Sequence, residues 1–181
     1  MDEKLELIGG IREMIYGEGI DKDTGCFLPG INIRNIVLAH GYFESREFFI
    51  LNIGGTHPCA YVNALPEDVA NMGILEWGSY DDVDPFVDAH GGVTYCENCL
   101  KAEGKTYIGN WLGWDYAHTG DYMYSTGDYM YSTIDPYDFF GLREHKWTIN
   151  ELLDECKSVI EDLKNLKNSN KEDSLENKEV L

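Results

Sequence analysis

The chain has 181 residues, of which 33 are acidic and 14 are basic, so its formal net charge at pH 7 is −19 with neutral histidines. Such a charge repels nucleic acid and anionic membranes, which disfavours direct binding to free DNA, and it attracts basic grooves or cations. The hydrophobic fraction of 43% is sufficient for a core and excludes global disorder. The length predicts one globular domain over residues 1–167, with a flexible polar tail over residues 168–181.

The cellular compartment is predicted from sorting and membrane signals. The N-terminus is acidic and lacks the basic and apolar regions of a signal peptide. The sequence has no apolar run near the ~20 residues that a membrane helix needs. Its five cysteines are an odd number without the spacing of a disulfide framework. These features predict a cytoplasmic protein with reduced cysteines and no membrane partner.

The N-terminal third of the chain predicts one helix and three strands. Apolar residues at helical spacing predict a short amphipathic helix over residues 3–16. Residues 31–40 and 46–54 are rich in β-branched and aromatic side chains, and the intervening GYFES predicts that they form a hairpin. Residues 58–65 predict a third strand.

The middle of the chain predicts shorter elements. Pro66 is suited to the first position of a short helix. Residues 76–88 (EWGSYDDVDPFVD) predict an acidic loop. Residues 93–96 and 107–114 predict two further strands around a loop that contains Cys99.

The last helix has the clearest pattern. Thr148 and Glu151 form a capping box, and apolar residues then recur at the helical period as far as Leu166. Together the elements predict an α+β fold. A mostly antiparallel sheet of about five strands is expected to be packed by this C-terminal amphipathic helix and by the short N-terminal helix.

Acidic residues are concentrated in the middle of the chain, where residues 47–142 contain 15 acidic and two basic residues. Residues 120–126 (GDYMYST) recur unchanged as 127–133, which predicts an exposed loop lengthened by tandem duplication. This loop and residues 76–88 are expected to form an acidic-aromatic surface for a basic partner, although solubility alone would also explain the charge. The predicted partner-binding residues are Asp81, Asp82, Asp84, Asp88, Asp121, Tyr122, Tyr124, Asp128, Tyr129 and Tyr131.

A second candidate site combines histidines and aspartates from residues 88–94 and 111–121. Histidine with carboxylates is the usual material of metal sites and of general acid–base catalysis. The alternative function is therefore a small metal-dependent hydrolase or ligand-binding protein, although such side chains beside glycines also commonly hydrogen-bond loop backbone. Its candidate residues are Asp88, His90, Asp115, His118 and Asp121, of which the last four are the candidate metal ligands.

Other motifs with chemistry are absent from the sequence. Cys96 and Cys99 form a single CxxC pair, which lacks the second pair of ligands that a zinc site needs. The chain has no phosphate loop, no dinucleotide fingerprint and no nucleophile elbow. Neither a catalytic residue nor a cofactor is predicted.

Three segments resemble a family of small phage and prophage proteins for which no reaction can be named. They are residues 90–94 (HGGVT), residues 111–121 (WLGWDYAHTGD) and residues 151–156 in the last helix. The resemblance extends over roughly residues 40–165. The Cys96–Cys99 pair and the GDYMYST duplication depart from the family's pattern.

The resemblance implies a phage origin, in which small acidic proteins are often inhibitors of host defence. In size and acidity the chain is similar to Cas9-blocking anti-CRISPR proteins. The implied function is a non-enzymatic inhibitor in the cytoplasm of the infected or lysogenic bacterial host. Its implied partner is a basic protein such as a Cas9–guide RNA complex, which holds nucleic acid in positively charged channels. The remaining alternative is an accessory phage protein with no role in defence.

Overall fold

A computed structural model describes residues 4–21, 23, 36–122 and 145–176, with side chains as far as Leu166 in the last range. These residues form a six-stranded antiparallel sheet in the order β1-β2-β3-β4-β6-β5, together with three α-helices. The predicted α+β fold is confirmed. The strands are β1 (Glu6–Leu7), β2 (Ile36–Phe43), β3 (Arg46–Ile53), β4 (His57–Ala64), β5 (Tyr95–Ala102) and β6 (Lys105–Asp115). The helices are α1 (Pro66–Met72), α2 (Tyr80–Val83), which continues into a 3₁₀ turn at Asp84–Phe86, and α3 (Ile149–Glu176).

Two tight turns build the hairpins of the sheet. Glu44 and Ser45 join β2 to β3, and Glu103 and Gly104 join β5 to β6, all four with positive φ angles. Two-residue turns with this backbone match the right-handed twist of the flanking strands. The predicted β2–β3 hairpin is therefore confirmed, although β2 extends further, to Phe43, and residues 31–35 lie outside the described residues.

The main core lies between one face of the sheet and α3. The apolar stripe of α3 is buried there, and Leu152, Val159, Ile160 and Leu163 have no exposed surface. At the start of α3, Thr148 and Glu151 exchange hydrogen bonds through backbone and side chain, which confirms the predicted capping box.

A buried ion pair attaches α1 to the sheet. Arg46 on β3 donates from Nε and Nη2 to the two carboxylate oxygens of Asp68, at 2.8 and 2.6 Å. Asp68 also accepts the backbone N–H of Leu65 at 2.8 Å. A bidentate pair with a further donor satisfies both charges inside the protein, as a buried pair requires.

The opposite face of the sheet has its own smaller core. Phe49, Leu51, Leu100, Ala102 and Trp111 are buried there. The buried apolar side chains of the three helices belong to the main core instead. The sheet therefore has a helical face and an aromatic face. None of the helices in the described ranges is long and apolar enough to cross a membrane.

The predicted N-terminal helix over residues 3–16 is wrong. This segment instead runs along β2, where it contributes β1 and the backbone bonds Ile8 N–H to His40 and Arg12 N–H to Leu38, both 2.8 Å. Gly9 has a φ of 84°, which a right-handed helix excludes. The unpaired edge of β2 supplies acceptors for this extended chain, and β1 brings the strand number from five to six.

Three other boundaries differ from the predictions. The acidic loop contains α2 and the 3₁₀ turn, and Cys99 lies within β5 rather than in a loop. Helix α3 continues to Glu176, beyond the predicted start of a flexible tail at residue 168, and residues 177–181 lie outside the described residues. Antiparallel pairing with β6 extends β5 beyond the residues whose pattern predicted a strand. Helix α3 likewise continues beyond the last residue of its apolar repeat.

Candidate functional site

The His/Asp segments predicted as one candidate site converge at one end of the sheet. There the loop before β5, the chain after β6 and the residues before α3 meet. Asp121 is paired with His145 as an isolated bridge, and the backbone of Tyr122 also bonds to His145. Contacts among residues distant in sequence therefore assemble the cluster.

Asp121 is the centre of this cluster, and it is buried, with 7% of its surface exposed. Its Oδ2 accepts from Nε2 of His90 at 2.8 Å and from the backbone N–H of His118 at 2.9 Å. Its Oδ1 accepts from Nε1 of Trp147 at 2.8 Å. Burial raises the pKa of Asp121, but the hydrogen bonds from Trp147 and His90 outweigh it and lower the pKa below its ordinary value.

His90 is held from both ends. Its backbone N–H donates to Oε1 of Glu155 at 2.6 Å. Its ring stacks on Tyr116, with centroids 5.1 Å apart and planes at 9°, and meets Trp147 edge-on at 4.8 Å. These contacts fix the ring orientation that its bond to Asp121 requires.

Glu155 on α3 was missed by sequence reasoning. Its Oε2 accepts the hydroxyl of Tyr116 at 2.7 Å, and that hydroxyl accepts from Nε1 of Trp114 at 3.0 Å. Tyr116 is fully buried, and its burial raises the pKa of the phenol far above its ordinary range. The sequence feature that could have indicated this role is the position of Glu155 beside buried Cys156, at the border of the apolar stripe of α3.

Asp115 and His118 form a neighbouring group. Asp115 accepts from Oγ1 of Thr94 at 3.0 Å and from the backbone N–H of Ala117 at 3.1 Å. Nε2 of His118 lies 3.7 Å from Oδ1 of Asp115 and has no hydrogen-bond partner among the described residues. The His118 ring lies against Gly91, where a Cβ atom would come within 1.9 Å of Nε2. Glycine at this position, with a φ of 68°, therefore makes room for His118.

We call His90, Tyr116, Asp121, Trp147 and Glu155 the clasp, because they join the sheet, the loop before β5 and α3. Both carboxylate oxygens of Asp121 and of Glu155 accept hydrogen bonds from within the chain. In the part of the chain that the structure describes, no three His, Cys, Asp or Glu side chains are placed to hold a metal ion. The clasp is therefore suited to holding the fold together.

Residues 90–94, 111–121 and 151–156, which are distant from one another in sequence, meet at the clasp and the neighbouring Asp115. His90 and Thr94 belong to the first segment, Tyr116 and Asp121 to the second, and Glu155 to the third. A hydrogen-bonded network that connects distant segments constrains the residue at each position.

The second candidate is the acidic segment, by which we mean Asp81, Asp82, Asp84 and Asp88 with the backbone between them. All four side chains are exposed, whereas Val83 is fully buried and Val87 is 9% exposed. Oδ1 of Asp84 accepts the backbone N–H of Val93 at 2.7 Å. The backbone of the segment is therefore fixed to the core, while the carboxylates of Asp81, Asp82 and Asp88 are exposed.

Helix α3 places one acidic residue, Asp162, beside this segment. The backbone N–H of Asp88 donates to Oδ2 of Asp162 at 3.0 Å, so a carboxylate of α3 lies next to the segment. Between Arg46 and Lys101 the sequence has no lysine or arginine. No lysine or arginine within residues 47–100 is therefore present to neutralise the negative charge of the segment.

The structure changes the predicted partner-binding set. Asp121 belongs to the buried clasp and not to an exposed surface, because its two oxygens are occupied by internal donors. Tyr122 is half-buried, packs edge-on against Tyr16 at 4.7 Å and lies under the ammonium of Lys146 at 4.1 Å. Tyr124, Asp128, Tyr129 and Tyr131 lie outside the described residues. Asp88 belongs to the acidic segment and is separate from the clasp.

The two cysteines of the CxxC pair have different surroundings in the structure. Cys96 is buried in the main core, where burial raises the pKa of its thiol. Cys99 is half-buried and lines a cavity with Leu51 and Tyr61 of the aromatic face. The two thiols thus lie in different environments, which disfavours joint metal or redox chemistry.

Comparison with known proteins found no matching family model, no matching curated protein and no matching solved structure.

Proposed function

We propose that the protein is a phage-encoded, non-enzymatic inhibitor of a host defence nuclease of the Cas9 type. It binds a basic nucleic-acid groove of that nuclease through the acidic segment. One observation carries the proposal: Asp81, Asp82 and Asp88 are exposed on a backbone that Val83 and Val87 anchor to the core.

Anchoring matters for the strength of binding. A segment that is already ordered loses little conformational entropy when it associates, so more of the interaction energy appears as affinity. Cas9 holds its nucleic acid in positively charged channels. Carboxylates on a fixed surface can occupy such a channel in place of phosphates and so compete with the nucleic acid.

The clasp supports a non-enzymatic function over the metal-dependent alternative. Asp121 and Glu155 would have to give up internal hydrogen bonds before they could bind a metal or activate water. Such a loss leaves buried donors unsatisfied, which costs roughly 1–3 kcal/mol for each. The nature of the partner comes from the family resemblance together with the charge.

The test is co-elution of the purified protein with a Cas9–guide RNA complex in size-exclusion chromatography at low and high salt. Three proteins are compared: the natural chain, the triple variant Asp81→Lys, Asp82→Lys, Asp88→Lys, and a matched triple variant Glu172→Lys, Asp173→Lys, Glu179→Lys. Both variants change the net charge by the same amount. We expect the natural chain and the matched variant to co-elute with the complex at low salt. Co-elution should weaken at high salt, because dissolved ions screen the attraction between the charged surfaces.

The triple variant of the acidic segment is expected to lose co-elution. Equal loss in both variants would show that net charge and not this segment determines binding. Absence of co-elution for the natural chain at low salt would overturn the proposed partner. Metal content measured on the same preparation tests the alternative, since a stoichiometric divalent ion would favour the His/Asp group.

A further inference from the structure

A cavity of about 380 Å³ opens on the aromatic face of the sheet. It is on the face away from α3, so neither the clasp nor the main core contributes to it. Its position is set by β3, β4 and β5. The lining residues are Leu51, Tyr61, Tyr95, Glu97, Cys99, Leu100 and Lys101.

Two tyrosine rings meet at a right angle in this cavity. Tyr61 on β4 and Tyr95 on β5 both pair with Gly113 of the intervening strand β6. Their centroids are 5.2 Å apart and their planes cross at 89°. A Cβ atom at Gly113 would lie 2.4 Å from the Tyr61 ring, so this approach depends on the glycine. The pairing of the strands therefore places two perpendicular tyrosine rings side by side on this face of the sheet.

The Tyr95 ring is fixed by a hydrogen bond, and the Tyr61 ring packs against Gly113. The hydroxyl of Tyr95 donates to the backbone carbonyl of Cys99. Burial raises the pKa of Tyr61 far above its ordinary range, so its ring stays a neutral phenol. Neutral aromatic rings have electron-rich faces that attract cations.

Glu97 adds a negative charge beside these rings. Its side chain is exposed, and its backbone carbonyl accepts Nε1 of Trp77 at 3.2 Å. Trp77 lies within residues 76–88 and packs against the main core, so the acidic loop reaches the edge of β5 at Glu97 from the opposite face of the sheet. Buried Leu51 and Leu100 provide apolar surface for an aliphatic stem.

We infer that this cavity binds the guanidinium or ammonium group of an arginine or lysine side chain from a basic protein partner. Tyr61 and Tyr95 contact the cation, Glu97 pairs with its charge, and the two leucines contact its methylene groups. The inference rests on the proposed function and deepens it, because it assigns a specific anchoring contact to the interface. Lys101 also lines the cavity, toward the other end of β5 from Tyr95 and Glu97, and like charges repel each other. The cation therefore binds at the Tyr95 and Glu97 end.

The test uses the free protein and a small probe, N-acetyl-arginine methylamide. Its matched control is the citrulline analogue, which has nearly the same shape without the positive charge. Backbone amide shifts are followed by NMR during the titration. We expect saturable shifts around Tyr95 and Glu97 with the arginine probe, and no saturable response to the citrulline analogue.

Two variants, Glu97→Gln and Tyr95→Leu, locate the binding group. Glu103→Gln in the β5–β6 turn is the control for Glu97→Gln, because it removes the same charge. Each cavity variant is expected to weaken binding of the probe about fivefold, and the control to leave it unchanged. If Tyr95→Leu does not fold, as judged by thermal melting, Glu97→Gln alone decides.

Three outcomes would overturn the inference: shifts that do not saturate, shifts confined to the acidic segment, or an equal response to citrulline. No nuclease is present in this titration. A negative result therefore removes the cavity assignment and leaves co-elution with the nuclease to be judged separately. Saturable binding of the probe without any co-elution would retain the cation site and overturn the proposed partner.

Discussion

The clasp and the acidic segment are neighbours in the chain and use aspartate in opposite ways. Asp88 is exposed, and two residues later His90 bonds to buried Asp121. Both carboxylate oxygens of Asp121 accept hydrogen bonds from within the chain. In the acidic segment, by contrast, the side chains of Asp81, Asp82 and Asp88 are exposed. The environment, and not the residue type, decides whether a carboxylate stabilises the fold or remains available for a partner. Substitutions can separate the two roles.

The largest effect is expected from Asp121→Asn. The amide keeps the shape but replaces one acceptor oxygen by a donor group, so it faces donors that it cannot satisfy. We expect the free energy of unfolding to fall by roughly 2–4 kcal/mol, because buried charge-assisted hydrogen bonds are lost. Urea denaturation measures the change.

The matched control for this substitution is Asp88→Asn, which removes the same charge from an exposed side chain. Its free energy of unfolding is expected to change by less than about 0.5 kcal/mol. A cost for Asp121→Asn no larger than that of the control would contradict the structural role of the clasp.

The dependence of stability on pH gives a second, smaller contrast. The pKa of Asp121 in the fold is below its ordinary value of 3.8, so its contribution is complete above about pH 4 and is lost as pH falls through the folded pKa. Burial lowers the pKa of His57 below its ordinary value of 6.5. The unfolded state therefore binds a proton at His57 first, and stability also falls as pH decreases below about 6.5.

Unfolding free energies measured from pH 8 to pH 3 are expected to show both declines. His57→Gln should flatten the decline below pH 6.5, and Asp121→Asn should flatten the one below pH 4. A stability that rises between pH 6.5 and pH 5 would contradict the lowered pKa of His57 in the folded protein.

The smallest effect on stability is expected from the acidic segment. The triple variant Asp81→Lys, Asp82→Lys, Asp88→Lys should change the free energy of unfolding by less than about 1 kcal/mol, since exposed charges contribute little and α2 is a single turn. Thermal melting of this variant checks that any lost co-elution is not caused by unfolding. If the free energy of unfolding fell as much in this triple variant as in Asp121→Asn, the acidic segment would stabilise the fold as the clasp does, and the contrast between the two regions would be lost.

Local patterns predicted the elements that local chemistry stabilises. The capping box of Thr148 and Glu151, the proline start of α1 and the β2–β3 hairpin all depend on residues near each other in the chain. The N-terminal helix was predicted by the same kind of pattern and is wrong, because the open edge of β2 offered hydrogen bonds that a helix containing Gly9 could not match. Here a tertiary contact prevailed over a weak local preference.

The candidate sites show the same division. The two histidine segments were predicted to lie together, and His90 does bond to Asp121. The roles of Glu155 and Trp147 were not predicted, because each depends on where α3 and its preceding residues meet the sheet. The perpendicular tyrosines required the strand order, which places β6 between β4 and β5.

The sequence by itself determined the charge, the fold class and the positions of most of the local elements, because these follow from composition and from hydrophobic period along the chain. Only the tertiary structure decided which acidic residues are buried and which are exposed. The reason is physical: a carboxylate enters the interior only where several donors converge on it, and in this protein those donors come from segments far apart in the chain.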